Sequence, residues 1–403
     1  MYETELSILK GLYRKGTFDS PFYRKLVNDE NCFNDYDSFQ KIPFMRKEHL
    51  RNTTVMQRTT TPVDDIYGFF SSSGTTGAKT FYAYSNEDKK IHELFVRRFF
   101  NSLGISNKDI GAIMAPVDTG VMAHTMMWQF TTMGASYVNC PEPSPENMID
   151  TCENVPVTTI ATRPSVVSGI MYDGDLCQRA NKSNVNKLIL GGGYLSEERR
   201  KLLEHVWGAN CYNLLGTSEM FGPMAAECPK KEGLHYPQEY IMIEVLDPIT
   251  YNPVAPGNWG IAVYTSLWHK GFPLLRYWTD DLVMIMEEAC TCGCGMPRIK
   301  HKGRFLDSIK MDDRYISPDE IEDLLFSEGA IGEWKMIKED NVITLLTETQ
   351  NAFDEDVVRN ELKKLLKHPV HIQRLNPFEL NFDGHECRSV SYTHLTLPTI
   401  LLV

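Results

Sequence analysis

The sequence predicts an α/β protein, with a large N-terminal α/β domain carrying a strand-rich subdomain and a small C-terminal α+β domain. Three observations carry that expectation. From about Tyr67, short apolar runs alternate with amphipathic stretches. "IGAIMAP", "ASYVNC", "VTTIAT" and "NKLILGGG" read as strands, and "EDKKIHELFVRRFFNSLG" and "SEERRKLLEHVWG" as helices, the pattern of a sheet with crossover helices. Between Tyr236 and Met286 strands dominate: "YIMIEVLDP", "GIAVYTSL", "PLLRYWT" and "DLVMIM". After "KHKGRFLD" a smaller unit starts, with helix "SPDEIEDLLF", strand "NVITLLTE" and helix "DEDVVRNELKKLLK".

Residues 1–50 are expected to be helical, because "PFYRKLVNDE" and "FMRKEHLR" place apolar residues three and four apart. Proline, glycine and asparagine in "DPITYNPVAPGNWG" supply hairpin turns for the strand-rich part. Ser317 suits an N-cap and Pro318 the first helical turn that follows it. A boundary near Gly303 divides residues 1–302 from residues 303–388. The end, "SVSYTHLTLPTILLV", is uncharged and rich in threonine and leucine. Residues 389–403 are therefore expected to be a non-native or disordered tail, with a genuine extra strand as the alternative.

Composition excludes several classes. A formal net charge of −12 over 403 residues opposes non-specific attachment to nucleic acid or anionic membrane. The opening "MYETELSILKGLYRKG" has early acids and no apolar signal core, and no apolar run approaches the ~18 residues of a membrane helix. A cytoplasmic location is expected, and most of the ten cysteines are scattered as small hydrophobes would be in a reduced compartment.

One loop asks for a ligand. "SSSGTTGAKT", residues 71–80, combines glycines that let backbone N–H groups converge with hydroxyls and a lysine, the chemistry of a phosphate cradle. It is not the P-loop of the NTPases, because Ala78 stands where that motif's second glycine belongs. A plain surface turn is the competing reading.

Further motifs follow in order: "YNLLGTSEMFG" (212–222), "LLRYWTDDLV" (274–283) and "GRFLDSIKMDDRYISPDEIE" (303–322). With the loop they resemble the adenylate-forming superfamily of acyl-CoA synthetases, luciferases and adenylation domains. "KIPFMRKEHLR", "TRPS", "GPMAAEC", "EGLHYPQEYIMIEVLDP" and "CTCGCGMPRI" narrow the resemblance to the phenylacetate–CoA ligase family, from about Lys41 to Arg388.

The resemblance implies the adenylate-forming fold with a mobile small domain, and a set of roles. Ser73, Gly74, Thr75, Thr76, Gly77 and Lys79 would wrap the ATP phosphates. Glu219 would hold Mg²⁺, with Ser218 beside it, since a hard cation wants oxygen ligands. Asp281 would accept hydrogen bonds from the ribose, and Arg304 would touch the nucleotide. Residues near "DTGVMAHTMMWQF" would line the acyl pocket.

Cys228, His235, Cys290 and Cys292 suit a structural Zn²⁺ site, with Cys294 as a spare thiol. Packed free thiols are the alternative.

Several positions depart from the family. Leu215 replaces an aromatic residue that stacks on adenine, Asp280 a glycine, and Gly193 an acid. Leu306 replaces the first hinge acid, though Asp307 follows, and Asp313 replaces a glycine on the coenzyme A path. His385 stands where the catalytic lysine belongs. The function implied is ATP-dependent activation of an aryl or arylacetic acid to an acyl-adenylate, then transfer to coenzyme A, by a monomer or homodimer. An amine or carrier-protein acceptor, or a catalytically degenerate nucleotide-binding homologue, are the alternatives.

Overall fold

The computed structural model describes residues 3–14, 20–27, 30–72, 79–115, 120–193, 195–311, 314–339, 342–350, 352–380 and 390–392. The N-terminal segment is helical, as its spacing predicts. In Glu3–Arg14 the buried Leu6, Leu9 and Tyr13 repeat at three and four residues, and Tyr13 packs on Tyr23 and Phe33. Pro21–Leu26 starts on Ser20, whose hydroxyl accepts from the Phe22 N–H. An antiparallel hairpin follows, β1 (Ile66–Ser71) with β2 (Phe81–Ser85).

Five parallel strands come next: β3 (Ile110–Ile113), β4 (Ser136–Asn139), β5 (Thr159–Thr162), β6 (Lys187–Gly191) and β7 (Asn210–Thr217). They lie in the order β7-β6-β5-β3-β4. Side chains alternate between two apolar layers, the pattern of a sheet covered on both faces. Leu188 and Leu190 face Met148, Ile170, Leu203 and Trp207, whereas Ile189 faces Phe95, Phe99, Met126 and Phe130. Each crossover helix is started by its own sequence. Asn86–Ser102 has a capping box between Ser85 and Asp88, and Glu197–Trp207 starts at Ser196 and ends on left-handed Gly208.

The sheet continues antiparallel through β8 (Gly222–Glu227), β9 (Leu234–His235), β10 (Ile241–Leu246), β11 (Gly260–Ser266), β12 (Tyr277–Ile285) and β13 (Arg298–Arg304). The full order is β10-β11-β12-β13-β9-β8-β7-β6-β5-β3-β4, with eleven strands. "PLLRYWT" and "DLVMIM", expected as two strands, are one. Residues 273–276 run irregularly into it, because Arg276 has a positive φ of 41° and its backbone serves Met45.

After β13 come the hairpin β14 (Ile309–Lys310) and β15 (Tyr315–Ile316), then helix Pro318–Ser327. A separate sheet follows with β16 (Trp334–Glu339), β17 (Val342–Thr347) and β18 (Val370–Arg374), backed by helix Glu355–Leu366. Its core is its own: Ile321, Leu325, Trp334, Met336, Ile343, Leu345, Val358 and Leu362. Val390–Tyr392, within the segment expected as a non-native or disordered tail or else an extra strand, form β19, parallel to β16. The edge of β16 offers unpaired backbone groups, and the strand takes them up.

A buried polar pair makes one prediction. His92 and His269 are fully buried, and burial pulls their pKa values down to about 4 and about 3. The unfolded chain protonates both below about pH 6.5. The folded chain does not, so each histidine costs stability as pH falls through that window. Among the described residues neither nitrogen of His269 has a hydrogen-bond partner, so an apolar replacement forfeits little. His269→Leu is expected to gain stability over the parent by about 1.4 kcal/mol for each pH unit from about 6 down to about 4. Urea unfolding of both proteins at pH 7, 6 and 5 measures the gain, and a difference independent of pH would contradict it.

Candidate active site

The site begins where β7 ends. Gly216 must be glycine, because a Cβ there would meet the Gly222 carbonyl oxygen at 2.5 Å. Thr217 Oγ1 then accepts from the Met220 N–H at 3.2 Å and starts one tight turn, Ser218–Met220. The turn closes on Phe221 and Gly222, both at positive φ (61° and 96°). Phe221 stacks on Tyr84 at 4.1 Å, and the Tyr84 hydroxyl donates to the Ser218 carbonyl, which holds a strained residue in place. Glu219 is buried within this turn. Its Oε1 accepts from the Tyr82 hydroxyl at 2.9 Å and from the Tyr277 hydroxyl at 3.0 Å.

β12 and β13 bring the next group. Asp281 and Arg304 are cross-strand partners, and His301 Nε2 lies 3.6 Å from Asp281 Oδ1. Asp280 has φ of 67°, the left-handed backbone region that favours glycine. Aspartate is among the side chains that tolerate this region, and here its carboxylate is held by Trp278 Nε1–H at 2.6 Å.

Charges of both signs meet here. Desolvation works against the Arg304 guanidinium, but Asp281, Asp307, Glu219 and Asp280 raise its pKa overall. Burial pushes Asp307 up to about 6 against the pull of Arg304. Burial also lowers the pKa of Lys47, whose ammonium feels Glu219, Arg304 and Asp280. Lys47 reaches this place because the backbone before it runs along β12: the Met45 N–H donates to Arg276 O (3.0 Å) and the Trp278 N–H to Met45 O (2.9 Å).

The glycine-rich loop joins β1 to β2, a strand-to-strand connection unlike a P-loop. Its base is closed by the Ser72 N–H to Thr80 O (2.9 Å) and the Thr80 N–H to Ser72 Oγ (3.2 Å), with Lys79 exposed beside it. Ser73, Gly74, Thr75, Thr76 and Gly77 lie outside the described residues, as do Asp313 and His385. Leu215 is buried in the apolar core, and Leu306 is exposed.

A second constellation lies farther along the sheet. Cys228 follows β8, His235 is in β9, and Cys290 and Cys292 are on the β12–β13 connection. Their ligand atoms all lie within 4.8 Å of one another. Cys228 and Cys290 sulfurs are 3.7 Å apart, against about 3.8 Å for the edge of a tetrahedron with ~2.3 Å Zn–S bonds. His235 Nδ1 is 3.1 Å from the Met296 carbonyl, which favours Nδ1–H and leaves the Nε2 lone pair 3.4 Å from Cys292 Sγ. Cys294 is exposed, 3.2 Å from Nδ1. The donor set therefore fits zinc.

The structure thus gathers Ser218, Glu219, Asp281 and Arg304 in one region, and separately the cysteine–histidine quartet. Three participants carried no role in the sequence reading: Tyr82, Tyr277 and Lys47. Lys47 sits inside "KIPFMRKEHLR", which gave a hint of family but no contact. The tyrosines gave none, since their partner is 137 and 58 residues away.

No protein-family model matches the sequence. Curated relatives include the phenylacetate-coenzyme A ligase of Thermus thermophilus, 28% identical over 298 residues, 68% of this chain. The chain spans 63% of that enzyme's length. The phenylacetate-coenzyme A ligase of Pseudomonas putida is 25% identical over 340 residues, covering 79% of this chain and 74% of the relative. Among solved structures, 2-hydroxyisobutyryl-CoA ligase in the postadenylation state, with 2-HIB-AMP, superposes with a TM-score of 0.83 at 18% identity, over 96% of this chain and 88% of that one. An anthranilate CoA ligase with anthranoyl-AMP gives a TM-score of 0.64 at 17% identity, over 78% and 64% of the two chains. The chain is a relative of the phenylacetate-coenzyme A ligases, built on the adenylate-forming fold.

Proposed function

We propose that the protein activates an aryl or arylacetic carboxylic acid with ATP, releasing pyrophosphate, and passes the acyl group from the adenylate to coenzyme A. One observation carries the reading: Glu219, Asp281 and Arg304, from three separate motifs, come together just past the end of β7, midway along β12 and at the end of β13. Glu219 would hold Mg²⁺ between the phosphates, with Ser218 beside it. Asp281 would accept from the ribose hydroxyls, and Arg304 and Lys47 would face the phosphate charge. The loop around Gly74, Thr76 and Lys79 would close over the β- and γ-phosphates. A fixed array of this kind lowers the barrier by positioning and charge neutralisation, without covalent help. The role that the resemblance gives to a lysine beside the reacting carboxylate would fall to His385.

A second reading, nucleotide binding without turnover, is favoured by Leu215, whose burial in the core leaves that position no ring to stack on adenine. Pyrophosphate exchange across a panel of aromatic and aliphatic acids separates the two. Acid-dependent exchange, with a thioester product when coenzyme A is added, supports the first; ATP binding without exchange for any acid overturns it.

The quartet Cys228, His235, Cys290 and Cys292 would bind one structural Zn²⁺ per chain. Metal analysis of protein purified without chelator is expected to find one equivalent. Cys290→Ser should lose the metal and lower the melting temperature, because the ion ties the β12–β13 connection to β8 and β9. A metal-free parent of equal stability would contradict this.

A further inference from the structure

We propose that Tyr82 and Tyr277 are positioning residues, which occupy Oε1 of Glu219 and leave Oε2 as the single oxygen offered to a divalent cation. This rests on the reading of Glu219 as the residue that holds Mg²⁺ with the nucleotide. A carboxylate has about four lone-pair sites, two on each oxygen. Both phenols donate to the same oxygen, at 2.9 and 3.0 Å, and so fill its capacity. Among the described residues Oε2 makes no hydrogen bond. Glu219 is therefore divided by its surroundings into one structural and one ligating oxygen.

The two donors come from different strands. Tyr82 lies on β2, the strand that leaves the glycine-rich loop, and Tyr277 opens β12, the strand that carries Asp281 four residues later. Both rings are buried, and Tyr82 packs on Phe272 at 5.8 Å. Neither hydroxyl can swing away without losing a buried partner. The clamp links three parts of the nucleotide site, so loop, metal ligand and ribose acid are held in one register. The preferred cation is a small one that accepts a single carboxylate oxygen and keeps the rest of its shell as water and phosphate, as Mg²⁺ does.

The test measures ATP binding by calorimetry with Mg²⁺ titrated from zero, in the parent, Tyr82→Phe, Tyr277→Phe and Glu219→Gln. Each phenylalanine variant is expected to need about tenfold more Mg²⁺ for half-maximal effect, the usual scale for removing a partner of a metal ligand. Binding of metal-free ATP should be unchanged. Equal weakening with and without Mg²⁺, or no shift in either variant, overturns the positioning role. If Glu219→Gln itself leaves the Mg²⁺ dependence of the parent intact, the assignment of Glu219 falls, and the clamp with it. Should one variant fail to fold, the other decides alone, because each donates its own hydrogen bond.

Discussion

Glu219→Gln is expected to reduce acid-dependent pyrophosphate exchange at least about a hundredfold, the scale set by removing one preorganised electrostatic contact from a transition state. Glutamine is the informative replacement. Its amide oxygen can still accept from Tyr82 and Tyr277, so the buried phenols keep partners and the turn at Ser218–Met220 keeps its shape. Alanine would orphan both hydroxyls, at about 1–3 kcal/mol each, and mix instability with lost chemistry. What glutamine removes is the negative charge that a hard cation needs. Thermal unfolding of Glu219→Gln should stay within a few degrees of the parent while exchange disappears. Exchange near the parent rate would mean that the nucleotide site has been placed wrongly.

The parallel strands were legible because β5 and β6 are buried on both faces, and such strands must be written as unbroken apolar runs. The crossover helices were legible because their apolar residues recur on one face of a charged stretch. β16, "WKMIKE", and β18, "VHIQR", did not stand out. Each carries charged or polar residues on one face, and five or six residues of alternation are too few to separate from helix. β19 was set aside because its surroundings looked foreign to the chain. Backbone pairing does not read composition, and β16 had an edge to fill.

At the candidate site, the sequence located residues whose motifs are local, such as Glu219 in "LLGTSEMFG". It could not locate partners brought by topology. Asp280 shows the boundary well. Its replacement of a glycine could be read locally, and only the backbone explains it: a left-handed residue at 67°, tolerable to aspartate and secured by Trp278. Lys47 is a similar case. Its position follows from two backbone hydrogen bonds that Met45 makes with Arg276, just before β12, and with Trp278 in it, and no local pattern announces those.

Arg199→Met is expected to cost about 3–5 kcal/mol, the range for removing one member of a buried ion pair. Arg199 lies on helix Glu197–Trp207, under the parallel sheet, and has no exposed surface. Its guanidinium makes a bidentate pair with Glu322 (3.0 and 3.1 Å), which belongs to the unit after β13. The same group donates to Glu333 Oε1 at 2.5 Å and to Ser168 Oγ at 2.8 Å, and Trp334 Nε1–H adds a bond to Glu322 at 3.0 Å. The cation is thus a common partner of two buried carboxylates. Methionine fills much of the same volume but takes the guanidinium away from both buried acids. The loss should appear first where the two units meet. Amide exchange is expected to quicken across residues 197–207 and 318–334 before it changes in β5 or β6. Adding Glu322→Gln and Glu333→Gln to Arg199→Met should recover much of the stability, because neutral amides cost less to bury than carboxylates that have lost their guanidinium. That recovery separates a charge effect from a packing effect. A single substitution costing less than about 1 kcal/mol, with exchange unchanged at the junction, would show that the pair is open to solvent and does not hold the units together.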